Sequence, residues 1–317
     1  MISSRRRWAV PLASLLGAGA VLGISTNLAK LAAEAGLGPL AFLAWSVVGA
    51  AAVLTGVGAV RNRLPPLNAR TTEYFVVAGL VGLAAPNLLS FAAVPHVGAG
   101  FVALSTAFPP LLTYIGALIL GMERFQPRRA SGVVLALGGA VLLAVLKLSE
   151  PGVDAFWVAA TLSAPVLLAI GNIYRTARWP EGVAPNELAP GMLAASGLIL
   201  LVVGAIAEPF LGGAAGFSLA VPTGRAVPAL LVLAQIATFS VMYLLYFVLQ
   251  KHGGPVYLSL LGSVAAVVGV PIAVLLLGEA PPQGLAIAGV LIAVGVGLLT
   301  IGDPKGNRET AAAPMDD

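Results

Sequence analysis

Polar side chains inside the long apolar runs are the residues able to do chemistry in this chain. Counting inward from the ends of each run places Asn87, Ser105, Thr106, Thr113, Gln235, Thr238, Ser259 and Ser263 near mid-run. A polar group in hydrocarbon is costly, so such residues face protein or water. Ser259 and Ser263 are four apart and share a helix face; Gln235 and Thr238, and Tyr243 and Tyr246, do so at a spacing of three. Together they offer the donors and acceptors of a cavity that holds a polar solute. Single Ser and Thr hydroxyls also bond their own helix or glue helices together. Asn27 and Asn172 sit closer to the run ends, where water reaches them, as gate or cavity residues. Pro109–Pro110 and Pro271 fall mid-run. Each removes a backbone hydrogen bond and kinks its helix, freeing a carbonyl for water or solute and offering a hinge.

Several chemistries are excluded. The chain has no Cys and 2 His, and no carboxylate cluster. It therefore shows no catalytic constellation, no metal site and no cofactor site, and an enzyme is not expected. Glu123 and Glu279 precede Pro-started helices, where a helix N-terminus favours an anion, so they fit caps better than proton carriers. His96 and His252 fit interfacial turns. No Asp, Glu, Lys or Arg falls mid-run. The expected cavity is uncharged, suited to a neutral or zwitterionic solute rather than a nucleotide sugar, a sugar phosphate or a cationic drug.

The elements that must position these residues follow from composition. Of 317 residues, 59% are hydrophobic and only 9% charged, with a mean hydropathy of +0.98. A soluble domain carries about 25% charge, so the partner of most of this surface is the lipid bilayer. The net charge of +4 comes from cations scattered along the chain, which argues against nucleic-acid binding. Polar punctuation divides the chain into ten runs: Trp8–Ala29, Pro39–Val60, Glu73–Val94, Gly98–Leu120, Ala130–Leu146, Ala155–Tyr174, Leu188–Ala207, Ala226–Leu249, Pro255–Leu277 and Gln283–Ile301. Each suits a spanning helix of about 20 residues. The first follows Arg5–Arg7 but is too long for a signal-peptide core, so it reads as a retained helix.

Charge fixes the orientation. With ten helices and a cytoplasmic N-terminus, only Lys30, Lys147 and Arg225 fall outside, and every other Lys and Arg falls inside. That satisfies the positive-inside rule and puts both termini in the cytoplasm.

The chain also repeats. His96 recurs as His252 and Glu123 as Glu279, both at a spacing of 156 residues. Phe101 with Tyr257, Leu104 with Leu260 and Leu120 with Leu276 keep the same register, which also pairs Asn87 and Ser90 with Tyr243 and Tyr246. A looser pairing relates Asn27 and Lys30 to Asn172 and Arg175. Five helices per copy is an odd number, so the second copy enters the bilayer from the opposite side. Such inverted repeats can exchange conformations and alternate access. The expected architecture is all-α and integral to the membrane, with ten helices as two inverted five-helix repeats around a central cavity. The units are 1–150, 151–302 and a polar cytoplasmic tail over 303–317.

These residues resemble the drug/metabolite transporter superfamily, with two EamA-type repeats. The best-matching motifs are Phe108-Pro109-Pro110, Leu120-Gly121-Met122-Glu123-Arg124 and Pro127-Arg128 in the first copy. In the second they are Tyr243, Tyr246, Leu276-Leu277-Gly278-Glu279 and Pro281-Pro282. Leu22-Gly23 stands where the family often has Trp-Gly, and Trp45-Ser46 where it often has Arg. The resemblance implies ten helices around a cavity and export of amino acids or other small metabolites, in a bacterial inner membrane. Its partner is then a small-molecule substrate; the sequence sets no oligomeric state. A proton-coupled antiporter, a membrane scaffold and a signalling protein are the competing readings.

Overall fold

The computed structural model describes residues 2–122, 125–211, 218–221, 226–280 and 285–300. The tail over 303–317, Glu123, Arg124, Pro281 and Pro282, and the side chains of His252 and Ser259, lie outside the described residues. In chain order the helices are α1 (Ile2–Glu34), α2 (Pro39–Val60), α3 (Ala69–Gly79), α4 (Ala85–Val97), α5 (Ala99–Ser105), α6 (Pro109–Ile119), α7 (Pro127–Leu148), α8 (Ala155–Ala177), α9 (Pro185–Leu211), α10 (Ala226–Ser259), α11 (Leu261–Pro271) and α12 (Leu285–Thr300). One π-helical turn, Leu80–Ala84, joins α3 to α4; another, Ile272–Leu276, follows α11.

Eight segments of the described chain are long and apolar enough to cross a membrane. They comprise Val10–Glu34 of α1, then α2, then Ala69–Val97, then Ala99–Ile119, then α7, α8, Pro185–Ile206 and Ala226–Lys251. Leu261–Leu276 and α12 are apolar but shorter. The lateral surface carries Leu198, Leu230, Val267 and Leu275, each more than half exposed. Water would penalise that surface, whereas hydrocarbon does not. The protein is integral to the membrane.

Local sequence sets the ends. Pro opens α2, α6 and α7, where its missing N–H costs nothing. Asn68 and Thr71 form a reciprocal capping box at α3 (2.9 and 3.0 Å), and Asp154 caps α8 at the Phe156 N–H (2.8 Å). Packing runs α1 on α10 and α11, α8 on α4 and α6, α2 on α9, and α7 on α12.

Two differences from the sequence reading concern breaks. The third run contains a π turn at its centre, which periodicity does not reveal. The turn expected at His252-Gly253-Gly254 is absent, since α10 continues to Ser259 and the chain breaks at Leu260. The corresponding break after His96 does form, at Gly98 with φ 87°. There the first-turn Ala99 and Gly100 N–H groups, which have no intrahelical acceptor, find a carboxylate, Glu279, at 2.7 and 2.8 Å. Continuing the helix through 252–254 instead keeps the backbone bonds internal.

Small residues let backbones touch. A Cβ on Gly262 would overlap the Thr106 carbonyl, and one on Gly23 would meet the Ala265 carbonyl at 2.6 Å. Gly262→Val should therefore destabilise the fold by about 1–3 kcal/mol through overpacking. Detergent-solubilised protein should melt several degrees lower by size-exclusion thermal challenge, and an unchanged melting profile would refute this close contact.

Candidate functional site

The breaks converge on one cavity. Its wall is formed by Leu22 and Thr26 of α1, by Gly82 of the π turn, and by Asn87 and Ser90 of α4. Thr106 and Pro109 come from the α5–α6 break, Asn172 from α8, Tyr243 and Tyr246 from α10, and Gly262 from α11. The void is a narrow slot of about 70 Å³, room for roughly five waters at about 10–15 Å³ each.

Its hydrogen bonds follow from the irregular backbone. Asn87 Nδ2 donates to the Leu83 carbonyl (2.8 Å) within the π turn, and its amide lies against the Tyr243 hydroxyl. Thr106 Oγ1 donates to the Ala103 carbonyl (2.6 Å) and faces the Gly262 carbonyl (3.2 Å). Thr106 and Gly262 are 156 residues apart, the spacing of the repeat. So are Asn87 and Tyr243.

One buried cation lies just behind the lining of this uncharged cavity. Arg175 is placed by sequence among the cytoplasmic loop cations, near the end of α8. In the fold it is 0% exposed and extends inward along α8 to Gly82. Gly82 lies at the middle of the Ala69–Val97 span, and a Cβ there would overlap Arg175 Nη1. Nη2 donates to Asn172 Oδ1 (2.7 Å) and to the Tyr246 hydroxyl, and that hydroxyl donates to Asn172 Oδ1 (2.9 Å). The guanidinium also lies over the Tyr246 ring, 5.0 Å from its centroid. Arg side chains are long enough to cross a turn and a half of helix, which is why a position near a helix end can deliver charge to the midplane.

A second charged cluster ties three helix ends. Lys30, at the end of α1, pairs with Glu279 (3.2 Å) and donates to the Leu277 carbonyl (3.3 Å). Glu279 also accepts from the start of α5, as described above. The expectation that Glu279 acts as a cap is therefore met on α5 rather than on the helix that follows it.

Of the sequence-selected residues, Asn87, Thr106, Asn172, Tyr243, Tyr246 and Pro109 line the cavity. Asn27 lies buried between α1 and α11, donating to Gly23 (2.9 Å) and Gly269 (3.0 Å) carbonyls. Gln235 Nε2 donates to Ser25 Oγ, joining α10 to α1 away from the cavity lining. Ser105 bonds the Val102 carbonyl (2.7 Å) and Thr238 the Ala234 carbonyl (2.7 Å), so each hydroxyl serves its own helix. Thr113 Oγ1 is buried without a partner. Ser263 and Pro271 line a separate apolar groove against α12, with Leu16 and Leu104. Pro110 is buried in the first turn of α6. Thr26 lines the cavity and Arg175 lies behind three of its lining residues; sequence reasoning selected neither. The Asn172–Arg175 spacing of three was the available signal for the second. Among the described residues, no three His, Asp or Glu side chains gather in a metal-binding group.

Comparison with known proteins gives a partial family match. Residues 9–145 match the model of the EamA-like transporter family. Over this stretch, less than half of its length, the chain is similar to that family. That match and the apolar helices together suggest a membrane transporter of the drug/metabolite type. No curated protein matches the chain significantly. One solved crystal structure shares the fold, with a TM-score of 0.62 over 93% of this chain and 98% of its own, at 20% identity.

The Glu279 cluster yields a test. Glu279→Gln keeps the shape but removes the charge that serves Lys30 and two N–H groups. Hydrogen bonds to charged groups contribute about 1.5–3 kcal/mol, so the variant should lose about that much stability. Its melting temperature should fall measurably below wild type, and Lys30→Met should not add to that loss in the double variant. Full additivity of the two effects would contradict a shared network.

Proposed function

We infer that this transporter moves a small amino-acid-like metabolite, neutral overall or zwitterionic, by alternating access, with net export. The carrying observation is the contact of Thr106 with Gly262 across the cavity. Residues equivalent in two repeats meet only near the axis that relates them, so a cavity there lies between the halves. Helix packing supports the same symmetry. α1 rests on α10 and α11 as α8 rests on α4 and α6, α2 packs on α9, and α7 on α12. This pattern favours ten helices as two inverted five-helix repeats, 1–150 and 151–302, counting Leu261–Leu276 and α12 as the ninth and tenth. In that arrangement Lys30, Glu279 and Ala99 share one face, which agrees with the topology drawn from the charges.

The cavity chemistry fits such a solute. Tyr243, Tyr246, Asn87, Asn172 and Thr106 supply donors and acceptors, and no Asp or Glu lines the cavity to hold a cationic drug. The chain break before Pro109–Pro110 and the π turn at Leu80–Ala84 are places where the helices can flex.

Purified protein in liposomes should give saturable flux of at least one neutral L-amino acid or related metabolite. Asn87→Ala should raise KM severalfold, the loss expected for one hydrogen bond. Gln235→Leu, which lies off the cavity lining, should lower stability with little change in KM. Absence of saturable flux across a broad metabolite panel would overturn the reading. The same topology expects a C-terminal reporter to face the cytoplasm; a periplasmic reporter would break the inverted-repeat arrangement.

A further inference from the structure

We propose that Arg175 is the receptor for a substrate carboxylate, which makes a free carboxylate a requirement of the transported solute. This rests on the transport reading above and sharpens it from neutral or zwitterionic metabolites to carboxylate-bearing ones.

The guanidinium is fully buried, yet its Nε and Nη1 donors have no partner. Only Nη2 is engaged, by Asn172 and Tyr246. No Asp or Glu among the described residues pairs with it. An arginine stays charged under all ordinary conditions. Burying that charge without an anion is strongly unfavourable in a protein interior and more so within hydrocarbon. A structural arginine at this depth would be expected to carry a carboxylate partner from its own chain, as Lys30 carries Glu279.

The cavity lies directly beside this unsatisfied cation. Gly82, Asn172 and Tyr246 each touch the guanidinium, and each lines the cavity. Gly82 has no side chain, and Nη1 packs against it in the space a Cβ would fill. The Tyr246 hydroxyl accepts from Nη2 as a carboxylate oxygen would. A carboxylate entering the slot would meet Arg175 and the Tyr246 and Asn172 groups together. The planar guanidinium matches a carboxylate in two-point geometry, where a lysine offers only a point charge. Tyr243 and Asn87 stand further along the same wall for the rest of the solute.

Flux in proteoliposomes should be compared for neutral L-amino acids and the corresponding L-amino-acid amides. The amide keeps the ammonium and the side chain but replaces the carboxylate, so it brings a net positive charge toward Arg175. Wild-type protein should favour the acids by about tenfold or more. Arg175→Met should abolish that preference, and Arg175→Lys should restore part of it. Gly82→Ala, whose Cβ would displace Nη1, should weaken the preference while leaving the guanidinium in the chain. It serves if Arg175→Met does not fold. Equal flux of acids and amides by the wild type overturns the Arg175 assignment and leaves the transport reading standing. Absence of flux for both classes overturns the transport reading itself.

Discussion

Hydrocarbon offers no hydrogen bonds, so every break in a spanning helix must be satisfied by the protein or by the contents of a cavity. That constraint organises this fold. The chain breaks at Leu80–Ala84, at Thr106–Phe108, at Leu260 and at Ile272–Leu276. Thr106 answers one with its hydroxyl against the Ala103 and Gly262 carbonyls, and Asn87 answers another through the Leu83 carbonyl. Gly262 and Gly23 have no side chain because the opposing backbone occupies that space. The breaks at Leu80–Ala84, Thr106–Phe108 and Leu260 thus meet around the cavity, whereas the π turn at Ile272–Leu276 carries Leu275 and Leu276 on the lateral surface.

The same solvent constraint separates the two buried cations. Lys30 and Arg175 occupy loosely matching places at the ends of the first and sixth helices. Lys30 is satisfied by Glu279 and a carbonyl, and that cluster locks three helix ends on one face. Arg175 is held by two neutral groups and an aromatic face. A charge satisfied within the chain serves the fold. A charge left half-satisfied beside a void is available to a ligand, and the difference rests on a single carboxylate.

Much of this was legible because hydropathy and covalent spacing are properties of the chain alone. The ten apolar runs emerged from their lengths, and eight stand as full-length spanning segments. The spacing of 156, read from His96 and Glu123, reappears as the contact of Thr106 with Gly262. Asn87, Asn172, Tyr243 and Tyr246 reached the cavity because amides and phenols tolerate lipid poorly. Hydroxyls were less informative. Ser105 and Thr238 bond their own helices, and Ser263 faces a different groove, since a lone hydroxyl can be satisfied locally on any face. Arg175 was hidden by its position: a cation near a helix end reads as cytoplasmic, and only three-dimensional packing shows which way a long side chain turns. The π turn at Leu80–Ala84 was hidden likewise, because an extra residue in a helix leaves no hydrophobic period behind.

The two halves match in packing but differ in local form, and that difference bears on mechanism. In the first half the chain breaks at Gly98, where Glu279 from the other half accepts its free N–H groups. In the second half α10 runs unbroken through the matching residues His252–Gly254. If both halves carried the broken form, each would need an acceptor at its own face of the membrane. If the halves are inverted repeats that rock, as proposed, one closed cluster opposite a continuous helix is the asymmetry expected of a single conformation. Under the proposed alternating-access reading such asymmetry between the halves is expected, and that reading places the helix ends tied by the Lys30–Glu279 cluster at one face.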